Sequence, residues 1–419
     1  MKKCVRSIRA FLIYIFYSFL FFECSSINVD IEKEDVSVFD EINVNSPEYQ
    51  KGVEIALKKA EQIATIRWKA VNTIPKSSIY IPGGEYEGLP YSSVKEMDKF
   101  VGQEVSFYTF LSATNNPRSV FYTESVSELP YHGKNCSCYY GTVCSMSVNY
   151  ALGINAPFAS NSYKNQSFMK KISDKEIDLL EVADVLASDE HSIMIADVKR
   201  KGKEVKEIKY FENSSFKVLE RNDFQDYWNQ QQFIHYRYAD LSNNTYSPVE
   251  VPNNDRLELS ANRGDKSVYR RGEDTIINIL SDSYSYIELY CNNSLLETRK
   301  IINQDQLYTG LTEGLYAARL TDGSNYSDYT FFEVINAEIN TIVFPNAVTV
   351  TFDNVSKKAT AAEFCDISGE HLFTKLVSEE ENKRHRVTMK KIESEEPYYC
   401  KVIFQGQYGK IASERVLVK

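Results

Sequence analysis

Residues 139–153 read YYGTVCSMSVNYALG. Thr142 is a good N-cap and Gly153 a good helix stop, so the stretch predicts a short helix with Cys144 in its first turn. A cysteine there has three readings: half of a disulfide, a buried filler, or a nucleophile. The unpaired N–H groups and the dipole of a helix start favour a thiolate and lower the thiol pKa. The same N–H groups can hold a developing oxyanion. A nucleophile uses this position, and a packing cysteine has no need of it.

A nucleophilic thiol needs a base. The chain has five histidines: His132, His191, His235, His371 and His385. His191 opens the run HSIMIADV, whose alternation predicts a strand with His191 on the same side as Ile193 and Ile195. The following residues predict a β-hairpin with its turn at Lys201-Gly202. In that register Arg200 pairs with Lys203 and His191 faces Glu212; a three-residue turn would bring Asn213 there instead. Either side chain could fix the imidazole tautomer, and Glu212 would also stabilise the imidazolium. His132 sits in a loop beside Pro130 and Gly133.

Away from this centre, residues 1–24 have the form of an export signal: a basic MKKCVRSIRA, an apolar FLIYIFYSFLFF too short to span a bilayer, then ECSS. Cys24 follows the apolar core as the lipid-bearing cysteine of a bacterial lipoprotein does, which predicts a membrane-anchored, exported protein. Residues 25–45 form an acidic, polar tether. Ser46, Pro47 and Glu48 open a helix whose apolar stripe runs Val53, Leu57, Ala60, Ala64 and Val71. SPVEVPNNDR reads as a linker. From residue 255 on, short β-branched and aromatic runs separated by turn residues predict two β-sandwiches, 255–336 and 337–419. Cys365 and Cys400 fall on strands of the last module, where spacing alone leaves a disulfide open. The eight cysteines offer no CxxC pair with histidines to hold zinc, so no metal or organic cofactor is expected. A net charge of -10 without a basic stripe argues against a nucleic-acid partner.

GTVCSMSVNYAL resembles the GxDCSGFVxYAL segment of the NlpC/P60 branch of papain-like cysteine peptidases, and DVLASDEHSIMIADV resembles that family's GDLVxxxxHVGIVxxV segment. The chain departs from the pattern at Val143 and Met146. The resemblance implies an α+β papain-like domain over residues 46–245, ahead of two all-β Ig-like modules. It implies a peptidase or amidase that cuts bacterial cell-wall peptides (peptidoglycan stems) through a thioester. Cys144, His191 and Glu212 would be catalytic, and Tyr140 and Ser145 would position substrate. A surface adhesin or glycan-binding lipoprotein with an inactive papain-like domain is the alternative.

Overall fold

The structure is a computed structural model. It describes residues 42–418 apart from 78, 93–98, 126–137, 155, 157, 253–256, 353–356, 368–370 and 393–395. The expected export signal with Cys24 as its expected lipid-bearing residue, most of the tether, His132 and Cys136 lie outside the described residues.

The N-terminal half is helical at first and then turns to strands. Helix α1 (Pro47–Thr65) starts where Ser46 Oγ accepts the Tyr49 N–H at 3.2 Å. It ends before the expected Val71, because Arg67–Lys69 (β1) pairs with Glu85–Glu87 (β2). Helices α2 (Phe107–Asn115), α3 (Val120–Thr123) and α4 (Cys144–Leu152) follow. The chain then builds β3 (Met169–Ser173), β4 (Val185–Ala187), β5 (Ser192–Lys201), β6 (Glu204–Glu212) and β7 (Ser215–Glu220). It continues into α5 (Arg221–Gln231) and β8 (Ile234–Tyr238).

These strands form one antiparallel six-stranded sheet in the order β3-β8-β4-β5-β6-β7. Helix α4 packs against α1 on one side and β5 and β6 on the other, while α5 covers β6 and β7. Ile193, Ile195, Ile208 and Tyr210 share one buried cluster with Phe224 and Trp228 of α5, the burial that a two-residue alternation produces.

Two sandwiches follow. The first uses β9 (Leu259–Ala261), β10 (Ser267–Arg270), β11 (Thr275–Ile279), β12 (Tyr286–Cys291), β13 (Ser294–Lys300), β14 (Asp305–Tyr308), β15 (Gly314–Thr321) and β16 (Thr330–Ile335). Sheet β10-β16-β15-β12-β13 faces β14-β11-β9 across a core that includes Tyr269, Ile277, Tyr316 and Phe332. The second uses β17 (Ile339–Val343), β18 (Ala347–Phe352), β19 (Lys358–Cys365), β20 (His371–Leu376), β21 (Arg386–Lys390), β22 (Tyr398–Gln405), β23 (Lys410–Ala412) and β24 (Val416–Val418). Sheet β17-β18-β21 faces β20-β19-β22, with β23 and β24 both paired to β22.

Cys365 and Cys400 are free. Their strands are neighbours, but Cys365 pairs with Tyr399 and Cys400 with Phe364. Residues one step apart in register point to opposite faces, so a bridge has no geometry there.

The sandwiches are docked, not strung out. Tyr140 Oη donates to Arg263 O (2.7 Å), Tyr108 Oη to Asp265 Oδ2 (3.0 Å) and Thr109 Oγ1 to Lys266 O (3.0 Å). Between them Gly264 has φ +95°, and a Cβ on it would lie 2.5 Å from Thr109 O. The second sandwich reaches back as well: Lys410 N donates to Glu104 O at 2.9 Å.

Candidate active site

Cys144 is the first residue of α4. The N-cap is Val143 rather than the expected Thr142, and it makes no side-chain cap bond. Thr142 Oγ1 instead bonds Ser147 Oγ at 2.9 Å, inside the fold. The first-turn N–H groups of a helix have no intrahelical acceptor, so those of Cys144 and its neighbours are not used up by the helix. Gly153 ends α4 in the left-handed conformation, φ 77°.

His191 sits one residue before β5, in a tight link from β4. Ser188 N donates to His191 O at 2.8 Å, and Ser188 Oγ accepts the His191 N–H at 3.2 Å. Phe233 packs on the imidazole with ring centres 5.8 Å apart. The hairpin turn lies at Gly202-Lys203, one residue later than expected, with Lys201 paired to Glu204. Two bulges interrupt the ladder, one skipping Lys206 on β6 and the other Ala196 on β5, and they cancel. Beyond Met194↔Phe211 the register places Glu212 opposite Ile193, with His191 two residues further along on the same face. Glu212 Oε1 nevertheless reaches His191 Nε2 at 2.8 Å, because diagonal neighbours on one face lie within reach of long side chains. Asn213, the alternative, has φ 56° in the turn that joins β6 to β7.

The electrostatics follow from these contacts. Burial pushes the Cys144 thiol up, but the hydrogen bond and charge of His191, with Ser160, pull it below its ordinary value. Burial pushes His191 down, and the bonds to Cys144 and Glu212 outweigh it and raise it to about 9. Burial raises the Glu212 carboxyl, and the bonds from His191 and Lys217 bring it down to about 2. At neutral pH these shifts favour a thiolate beside an imidazolium.

Several residues around the thiol are not among those the sequence singles out. Ser160 opens a 3₁₀ segment (Ser160–Asn165), with Oγ 3.6 Å from Cys144 Sγ and 3.1 Å from Ser192 Oγ. Tyr163 Oη donates to Asn149 Oδ1 at 2.8 Å and so ties that segment to α4. Lys217 of β7 bonds Glu212 Oε2. Alternation alone gave a handle on Ser192 and Lys217; an aperiodic loop gave none on Ser160. Ser145 is buried beside the nucleophile. Tyr140 is also buried, and its hydroxyl is committed to Arg263 O.

No protein-family model and no curated protein matches the chain. Among solved structures, the fibronectin(III)-like modules of Clostridium thermocellum CbhA share 16% identity over 38% of this chain and 91% of theirs, at TM-score 0.22. The CD2-binding domain of CD58 shares 12% over 37% of this chain and 98% of its own, at TM-score 0.22. A lytic polysaccharide monooxygenase of Jonesia denitrificans shares 15% over 18% of this chain and 59% of its own, at TM-score 0.15. The description of the two modules as sandwiches rests on their own strand pairing.

Proposed function

We propose that the chain is a cysteine hydrolase of amide bonds, built on a papain-like domain of NlpC/P60 type. The supporting observation is one constellation: a thiol at a helix N-terminus whose pKa is pulled down by His191, and a His191 whose Nε2 lies 2.8 Å from Glu212 Oε1. In the reaction, Cys144 thiolate adds to the amide carbon and the carbonyl electrons move to oxygen, which accepts a hydrogen bond from the Cys144 N–H. Collapse breaks the C–N bond, and the amine leaves with the proton from His191. Neutral His191 then takes a proton from water, whose oxygen displaces the thiolate from the thioester. Glu212 keeps the imidazole oriented and balances its charge.

The substrates that fit this reading are bacterial cell-wall peptides, on the resemblance in the Cys144 and His191 segments. The apolar FLIYIFYSFLFF followed by Cys24 supports an exported, lipid-anchored protein that would meet them. Purified peptidoglycan digested by the full chain, with products identified by mass spectrometry, tests both. Release of new amino termini by wild type and less than about one part in a thousand by Cys144→Ala is the expected result. Slow, uniform iodoacetamide labelling of Cys144 and the other cysteines would overturn the reading in favour of a binding protein.

A further inference from the structure

A cavity of about 610 Å3 opens between the Ser160–Asn165 segment, the β4–β5 link and the C-terminal end of α5. That volume suits a small ligand or a few residues of a peptide. One lining residue, Ser160, also touches the nucleophile, at 3.6 Å from Sγ. The rest of the wall is mostly polar, with Ala187, Ile234 and Tyr236 as its less polar members. Asn161, Ser188, Gln230 and Gln231 supply amides and a hydroxyl. The charges Lys164 and Asp189 face each other at 3.2 Å and offset one another, and Glu190 adds a second carboxylate to the wall.

We propose that this cavity is the subsite that holds the substrate beside the scissile bond, and that it takes a polar, non-anionic peptide segment carrying amide or hydroxyl side chains. The inference rests on the hydrolase reading above. Three glutamines in succession, Gln230–Gln232, end α5 and its left-handed cap. Side-chain amides offer donors and acceptors at once, which match a peptide's own amides and hydroxyls. An apolar group placed there would leave those amides without partners, and sites that bind polar groups reject apolar analogues on that account. Ser160 makes the junction. Its hydroxyl donates to Ser192 Oγ at 3.1 Å and can turn to the sulfur or to an oxyanion formed on it.

The test needs no known substrate. Two peptidyl chloromethyl ketones, one with Gln and Ser beside the warhead and one with Leu and Phe, are reacted with the full chain alongside iodoacetamide. In each case the Cys144 sulfur forms a C–S bond as the halide leaves. The polar probe should label Cys144 at least about tenfold faster than the apolar one. Gln231→Trp, which fills the cavity away from the thiol, should slow the polar probe by about tenfold or more and change the iodoacetamide rate by less than about twofold. Equal rates for the two probes, or a polar-probe rate untouched by Gln231→Trp while iodoacetamide still labels Cys144 fast, would overturn the subsite. A wild-type Cys144 that iodoacetamide labels no faster than the other cysteines would instead sink the hydrolase reading itself. Retained circular dichroism and wild-type iodoacetamide labelling of Gln231→Trp separate a blocked cavity from a misfolded chain.

Discussion

Glu212 faces two cations: Oε1 lies 2.8 Å from His191 Nε2, and Oε2 is bonded by Lys217 Nζ. Burial pushes His191 down, and Cys144 together with this carboxylate outweighs it and raises the imidazole to about 9, so part of that rise belongs to Glu212. The sign of its removal follows. Glu212→Gln keeps the shape and deletes the charge, so the imidazolium loses support and its pKa falls. The alkaline limb of the kcat/KM profile, set by loss of the His191 proton, should move to lower pH. A histidine NMR titration, with His191 assigned by comparison with His191→Gln, reads the same shift without any substrate. An unmoved His191 titration would show that Glu212 does not act on the base.

Lys217 tests how much of that effect belongs to orientation. Its side chain is 51% exposed, whereas Glu212 is 12% exposed. Half-exposed ion pairs contribute about 0–1 kcal/mol. Lys217→Met should therefore reduce kcat/KM by no more than about fivefold, well short of the loss in Glu212→Gln. It should also raise the Glu212 carboxyl from about 2, since one of the cations holding it down is gone. Equal losses in the two variants would mean that Lys217, not the carboxylate charge, sets the geometry at His191.

The helix at Cys144 and the hairpin after His191 were legible because both rest on local patterns: a glycine stop, and alternation that separates two faces. The turn was misplaced by one residue, yet a shift of both strands by the same step leaves the faces unchanged, and the two bulges cancel. The later turn alone moves Glu212 from opposite His191 to opposite Ile193, so the diagonal approach of His191 to Glu212 was not legible. Ser160 was invisible for another reason. It comes from a 3₁₀ segment whose place beside the thiol depends on Tyr163 reaching Asn149. The linker near residue 250 reads as a separator, but Arg263, Gly264 and Asp265 are pinned to α2 and to Tyr140 by contacts more than a hundred residues apart in sequence.

Those contacts predict a role for Tyr140 in stability. Its ring is buried, and its hydroxyl is the donor to Arg263 O at 2.7 Å. Tyr140→Phe retains the ring and leaves a part-buried carbonyl without that donor, at a cost of about 0.5–1.5 kcal/mol. Thermal or denaturant unfolding should show the loss, and iodoacetamide labelling of Cys144 should stay at the wild-type rate. A change in labelling with no change in stability would place Tyr140 at the reacting centre instead.

A buried charge cluster beneath the sheet gives the sharpest stability prediction. Asp184 is fully buried and accepts from Arg237 Nε at 2.7 Å and Nη2 at 2.8 Å, and it lies 2.6 Å from His235 Nε2. It also accepts the Glu181 N–H at 2.8 Å, and its strand β4 leads into the Ser188 link that holds His191. Asp184→Asn keeps the volume but leaves the largely buried Arg237 charge without the carboxylate that pairs with it directly. Breaking such a pair from one side costs about 3–5 kcal/mol. At roughly 2–4 °C per kcal/mol in a domain of this size, the melting temperature should fall by about 10 °C. Desolvation acts in the opposite direction when the whole cluster is removed. Replacing the cluster whole, as Asp184→Leu with His235→Phe and Arg237→Met, removes every charge that needs a partner and should recover most of the loss. If the triple variant is no more stable than Asp184→Asn, the cluster is held for its hydrogen bonds to the backbone, and Glu181 N–H becomes the contact to test.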